Sequence, residues 1–161
     1  MRKLFLVISL FSLFLTGCAS VPVESTKLSD KAKEFNSPSK GKAGVYVYRA
    51  DTHFGAALKK SIWIDKECIG ETAKGVFFYH EVEGDKEHTF STESEFSPND
   101  VIINTATGNL YFLEQYIRFG LFVGGAGLEQ KEAAVAKEEM ASLSLATKGK
   151  CDEVEKTSTT H

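Results

Sequence analysis

The sequence predicts a mainly β fold: an antiparallel β-sandwich or partly closed barrel with one C-terminal amphipathic helix, preceded by a signal helix and a flexible tether. Two observations carry the β part. Short runs rich in Val, Ile, Tyr, Phe and Thr recur between residues 44 and 119. Turn signals built on Gly, Asn, Asp or Pro separate them roughly every ten residues, the spacing of sandwiches and barrels. A third observation sets the ends apart. Residues 129–146 lack Gly and Pro and are rich in Ala, Glu and Lys, whereas the first residues form an apolar block of export-signal type.

That block has the parts of a secretory signal in order. Arg2 and Lys3 are basic, and residues 4–15 are apolar except for Ser9 and Ser12. The run is too short to span a bilayer, which takes roughly 20 apolar residues, but it suits a signal-peptide core. Leu15-Thr16-Gly17-Cys18 then resembles the lipobox of bacterial lipoproteins. There signal peptidase II cuts before a cysteine that already carries diacylglycerol. The resemblance implies a signal over residues 1–17, lipid on Cys18, and passage through the signal peptidase and the lipoprotein sorting machinery. Under the aspartate rule of lipoprotein sorting, Ala19 at the next position implies transfer to the outer membrane, with the domain on the periplasmic face.

Cleavage leaves 144 of the 161 residues, enough for one domain with a core of its own. Arg2 and Lys3 are the only charged residues removed, so 17 basic residues face 22 acidic ones, a net charge of −5. No basic stripe or basic helix is present, which excludes a nucleic-acid partner. Of three cysteines, Cys18 is consumed by lipid, leaving Cys68 and Cys151 in an oxidising compartment as a candidate disulfide.

Residues 18–42 are rich in Ser, Lys, Pro and Glu and read as a tether with a coil reach of roughly 25–30 Å. A short helix over residues 27–35 is conceivable within it, with Ser29 as its cap. The domain proper is expected over residues 43–149. Its strands are read at residues 44–49, at 60–65 with Ile62 and Ile64 on one face and Trp63 on the other, and at 68–72 after a Lys66-Glu67 turn. Further strands are read at 76–82, 87–92, 101–105 and 110–119. Over residues 129–146, Ala133, Ala136, Met140 and Leu143 share one helical face, and Lys148 with Gly149 supplies a stop. Residues 150–161 read as a disordered tail.

Candidate chemistry is sparse. His80, Glu81, Glu83, Asp85, Glu87 and His88 form the densest polar cluster, but their spacing matches neither a zinc signature nor a calcium loop, and alternating polar residues are what a solvated hairpin carries. The glycine-rich run from Gly120 to Gly127 lacks a Walker lysine and the G-x-G-x-x-G order, so it reads as a strand-to-helix connection rather than a phosphate cradle. Its apolar residues could instead dip into a membrane or meet a partner. His53 lies near Asp51, yet no G-x-S-x-G elbow accompanies them. Tyr46, Tyr48, Phe77, Phe78, Tyr79, Tyr111, Phe112 and Tyr116 are read mainly as core. No residue is assigned a catalytic or metal-ligating role, and no cofactor is called for.

Gly41-Lys42-Ala43 before Val45 to Arg49, Ile62-x-Ile64-Asp65, Ile69-Gly70, Gly75-x-Phe77-Phe78, His88 and Gly108-x-x-Tyr111-Phe112 resemble a family of small bacterial lipoproteins whose shared domain has no assigned function. Residues 63–89 also look like PEGA domains, β-sandwich modules of bacterial surface proteins, although Lys66-Glu67 and Glu83-Gly84 replace their turn glycine and Pro-Gly. The resemblance implies a fold and an address, and it transfers no catalytic residues. The expected molecule is a non-enzymatic envelope lipoprotein with an envelope protein as partner. A glycan- or wall-binding module using exposed aromatics is the alternative, and an envelope hydrolase the third.

Overall fold

The computed structural model describes residues 18–93, 99–119 and 124–151; the expected signal helix and most of the expected tail lie outside them. The seven strands read from alternation and turns are all present: β1 (Lys42–Arg49), β2 (Lys60–Ile64), β3 (Glu67–Thr72), β4 (Val76–Glu83), β5 (Lys86–Thr92), β6 (Asn99–Thr105) and β7 (Leu110–Arg118). They are joined by α1 (Thr26–Ala32), β8 (Gly125–Gln130), α2 (Ala133–Glu139) and β9 (Ser144–Leu145). The turn after β2 falls one residue earlier than expected. Ile64 pairs with Glu67, and Asp65 and Lys66 both take positive φ, the two-residue hairpin geometry that matches strand twist.

Two sheets form, in the orders β8-β7-β1-β4-β9 and β3-β2-β5-β6. They do not close into a barrel. Nor is the pairing wholly antiparallel, because β1 runs parallel to β7 and β4 parallel to β9. Parallel strands tend to be buried on both faces, and β1 is buried from Ala43 to Arg49. Its Ala43, Val45 and Val47 meet Ile62, Ile64, Phe90 and Ile103 between the sheets. Its Tyr46 and Tyr48 point the other way, into a second cluster with Phe77, Phe112, Ala136, Met140 and Leu143. Burying one such side chain contributes roughly 1.5–3 kcal/mol, so neither face of β1 can be left bare.

The C-terminal helix is shorter than expected. Residues 129 and 130 belong to β8, which pairs with β7 through Glu114↔Glu129 and Leu113↔Gln130. The hydrogen-bonding edge of β7 overrides the helical propensity of this segment. Gly127 permits the pairing, since the Tyr116 ring lies where a Cβ would sit, 2.5 Å away. Of the expected helical face, Ala136 is buried on α2, Met140 is buried at its C-cap, Leu143 is buried beyond its end, and Ala133 is exposed. Lys148 and Gly149 do not stop a helix. Instead the chain leaves β9 and crosses to the other sheet, where the Gly149 N–H donates to the Ile69 carbonyl at 3.1 Å.

Residues 18–42 are not a free tether either. Val23 bridges Ala146, the Glu24 N–H donates to Leu145 O at 2.8 Å, and the Thr147 N–H donates to Pro22 O at 3.0 Å. Ser25, not Ser29, caps α1; Ser29 is buried and accepts from the Leu145 N–H at 3.0 Å. Phe35 packs edge-on against Tyr46 and Phe112, with centroids 5.2 and 5.8 Å apart. Composition missed this because the segment is held by backbone bonds and one aromatic rather than by an apolar stripe.

Cys68 at the start of β3 and Cys151 form a disulfide with Cα atoms 5.8 Å apart, which fastens the chain after β9 to the second sheet. The bridge closes 83 residues of sequence. A loop of that size is worth at most about 4–5 kcal/mol in the chain-entropy account. The double variant Cys68→Ala/Cys151→Ala is expected to lose about 2–4 kcal/mol of unfolding free energy. Urea denaturation reads this as a lower midpoint, and an unchanged midpoint would show that packing alone holds β9.

Candidate functional site

One end of the two-sheet domain gathers the features that bear on function. Arg49 ends β1 there, Arg118 ends β7, and Gly125 opens β8 opposite Arg118. The loop after β1 contains Phe54-Gly55-Ala56-Ala57-Leu58, an uncharged run between polar flanks. Its shape is fixed from below. The Arg49 guanidinium, 3% exposed, donates to the Leu58 carbonyl at 2.7 Å and to the Gly55 carbonyl. Burial pushes Arg49 down to about 10, still well above neutrality. Gly55 lies against Ile117 so closely that a Cβ would come within 2.7 Å of that side chain, and its positive φ also calls for glycine.

Cys18 arrives at this same end. It is exposed and free, and the next residue, Ala19, donates its N–H to the Ala56 carbonyl at 2.9 Å. Above the loop Phe54 and Phe119 stand 46% and 89% exposed, their rings edge-to-face with centroids 4.8 Å apart. A cleft of about 180 Å³ opens beside them between Arg49, Thr52, Phe54, Glu114 and Tyr116. Ordinary ligand pockets hold roughly 300–1,000 Å³, so this one is too small to enclose a sugar chain. Among the described residues, the exposed aromatics Phe54, Tyr116 and Phe119 sit at one end of the domain and do not form a row along a strand face. Of the aromatics expected in the core, Tyr46, Tyr48, Phe77, Phe78 and Phe112 are buried, Tyr79 and Tyr111 are half-buried, and Tyr116 is exposed.

The polar cluster from His80 to His88 does not converge. His80 Nδ1 accepts from Lys148 Nζ at 2.7 Å, and burial followed by that cation lowers its pKa. Glu81 accepts from the Ser39 N–H and the Tyr79 hydroxyl. Glu83 pairs with Lys42, Asp85 accepts from the Thr107 N–H and hydroxyl, and Glu87 is exposed. Among the described residues, no three His, Cys, Asp or Glu side chains are placed to share a cation. Asp51 pairs with Lys74 at 3.2 Å. Residues 120–123 of the glycine-rich run lie outside the described residues, and Gly125 to Gly127 belong to β8.

The structure does contain a buried histidine paired with an exposed carboxylate, which sequence reasoning missed. His88 on β5 is 3% exposed, and its Nδ1 lies 2.6 Å from Asp65 Oδ2 in the β2–β3 turn. Its Nε2 faces the Glu83 carbonyl oxygen at 2.9 Å and must donate there. A triad histidine needs one nitrogen on the carboxylate and the other on the nucleophile. Here both are spent on holding two turns. The partners are 23 residues apart, and nothing local in the sequence announces them.

The family described as "Protein of unknown function (DUF2846)" matches residues 39–126, more than half of the chain. The chain belongs to the DUF2846 family. The match takes in β1 to β7 and ends at the start of β8. A protein of Haemophilus influenzae named "Uncharacterized protein" is 48% identical over 135 residues, covering 84% of this chain and 79% of that protein. No solved structure matches the chain.

The Asp65–His88 contact makes a pH prediction. Burial opposes ionisation of Asp65, but the Thr89 N–H and the His88 ring outweigh it and hold the carboxyl below its usual range. A depressed folded-state value stabilises the fold fully above the unfolded-state value of about 3.9. That contribution disappears as pH falls through the folded-state value. Asp65→Asn, which keeps a residue tolerant of positive φ, is expected to lower the urea midpoint near neutrality. The gap to the parent chain should narrow as pH falls below about 4. A gap that persists unchanged in acid would detach the carboxylate charge from this turn.

Proposed function

We propose that this DUF2846 chain is a lipid-anchored cell-envelope protein that works without catalysis, as a binding or structural module on the periplasmic face of the outer membrane. The observation that carries the reading is the division of labour among its cysteines. Cys68 and Cys151 are joined, while Cys18 is free, exposed and placed where the Leu15-Thr16-Gly17-Cys18 box would put the acylated residue. Several acyl chains on one cysteine make a lasting anchor, since each buried CH₂ contributes roughly 0.8 kcal/mol. Signal peptidase II and the sorting machinery are the partners of maturation, and an envelope protein is the partner of the mature domain. The His88 ring, both of whose nitrogens are engaged by Asp65 and the Glu83 carbonyl, fits a positioning role for this histidine.

Metabolic labelling with a fatty-acid analogue tests the anchor. The parent chain is expected to incorporate label and to lose the mass of residues 1–17, whereas Cys18→Ser should do neither. A labelled Cys18→Ser chain would end the reading. The address has its own test in a host that obeys the aspartate rule. Sucrose-gradient fractionation should find the parent chain with the outer membrane and Ala19→Asp with the inner membrane, and a parent chain in the inner membrane would overturn the sorting assignment.

A further inference from the structure

We propose that the end of the domain formed by Phe54, Ala57 and Phe119 seats directly in the interfacial layer of the membrane that holds Cys18, so that the domain is fixed in one orientation on the lipid surface. The inference rests on acylation of Cys18 as proposed above. It goes further by naming which face of the fold meets the bilayer.

Distance carries the first step. The mature chain begins at Cys18, and by Ala19 the backbone is already bonded to Ala56. One extended residue spans at most about 3.6 Å, so no tether separates the acyl chains from the loop. When the acyl chains are inserted, the Phe54–Leu58 loop is brought to headgroup level. Had residues 18–42 been a free coil, lipidation would have left the domain's orientation undetermined.

The second step is the surface found at that place. Phe119 at 89% and Phe54 at 46% are exposed, and their rings contact each other. Other exposed large apolar residues, such as Ile102 on β6 and Val135 on α2, belong to elements elsewhere in the fold. Five consecutive loop residues, Phe54 to Leu58, carry no charge that insertion would have to desolvate. Aromatic and apolar residues on a rigid support favour the boundary between headgroups and acyl chains, reaching roughly 5–10 Å into it. Rigidity is provided by Arg49 beneath the loop and by the Gly55–Ile117 contact, so little conformational freedom is lost on docking.

Depth-dependent quenching tests this. Three lipidated, signal-processed variants, Phe54→Cys, Phe119→Cys and Glu87→Cys, are labelled with a small environment-sensitive fluorophore. They are then placed in phosphatidylethanolamine–phosphatidylglycerol vesicles whose acyl chains are brominated near the headgroup. Glu87 is exposed at the opposite end of the domain, where β5 follows the turn that closes on Lys42. The labels at 54 and 119 are expected to shift to the blue and be quenched several-fold more than the label at 87. An acylated chain whose labels at 54 and 119 are no more quenched than that at 87 overturns the docking alone. A chain whose intact mass lacks acyl groups on Cys18 overturns the anchor and the docking together. Labels at 54 and 119 that are shielded in detergent micelles at twice the chain mass, and unquenched in vesicles, assign the face to a second copy instead.

Discussion

The double-sided burial of β1 is the constraint on which the rest of the molecule depends. A central strand flanked by a parallel and an antiparallel neighbour has no solvent face. The sheet of β3, β2, β5 and β6 covers one side of it through Ile62, Ile64 and Phe90. The other side presents Tyr46 and Tyr48, and nothing within β1 to β7 covers them except their own sheet neighbours. That work falls to the segments flanking the strands: Phe35 and α1 before them, α2 and Leu143 after them. The N-terminal flank that composition marks as a tether and the C-terminal helical segment are therefore together a third layer of the fold. The Tyr46 hydroxyl donating to Ala32 O at 2.7 Å and Lys137 Nζ lying 4.9 Å over the Phe35 ring show the same layer being closed by polar contacts.

The ends of the chain hold one another in place. The stem from Val23 to Glu24 lies along Leu145 and Ala146, β9 lies along β4, and the chain beyond β9 is fastened by Cys151 to Cys68. A two-residue strand has little pairing energy of its own. It persists because neighbours on both sides and a covalent closure remove its freedom. The same chain of contacts links the redox state of Cys68 and Cys151 to the seating of the stem that leads to Cys18. On the opposite side the sheets are stitched through β8, where the Ala126 N–H donates to Glu93 O at 3.0 Å. Inside, Gln115 reaches from β7 to the Thr92 hydroxyl at 2.7 Å and to Thr72, a buried polar tie between the sheets that fixes their relative register.

What could be read from the sequence follows the range of the forces involved. Alternation is local, so Ile62-Trp63-Ile64 placed β2 and its core face correctly, and the turn chemistry around Gly84 and Gly108 located two connections, although each carries the chain from one sheet to the other rather than closing a hairpin. β8 escaped because Gly125 to Gln130 carries almost no alternating pattern; its strand character comes from the free edge of β7. The stem escaped because Val23, Ser29 and Phe35 are too widely spaced to make a periodic stripe. At the candidate site, the motif around Cys18 is contiguous and legible. Its neighbour Ala56 lies 38 residues away and was found only through the backbone bond from Ala19. The Asp65–His88 pair and the Arg49 clamp are cross-strand and loop contacts of the same kind.

The polar groups whose types invite a catalytic reading are each used to hold backbone in place. His88 joins the β2–β3 turn to the β4–β5 turn, Asp85 joins the latter to the β6–β7 turn, and Arg49 fixes the loop that Cys18 approaches. A carboxylate with two donors, or an imidazole with two acceptors, is a stiffener because each bond ties down a separate stretch of backbone, and for the buried His88 ring moving either partner leaves a nitrogen unsatisfied at a cost of about 1–3 kcal/mol. Such stiffening gains a purpose when it is set beside the exposed surface. The end opposite these turns carries an apolar loop that a clamped Arg49 and a close-packed Gly55 keep from folding back onto the core. A loop held out at that end, with two aromatic rings exposed next to Cys18, is the arrangement expected of a fold whose apolar contact lies outside itself.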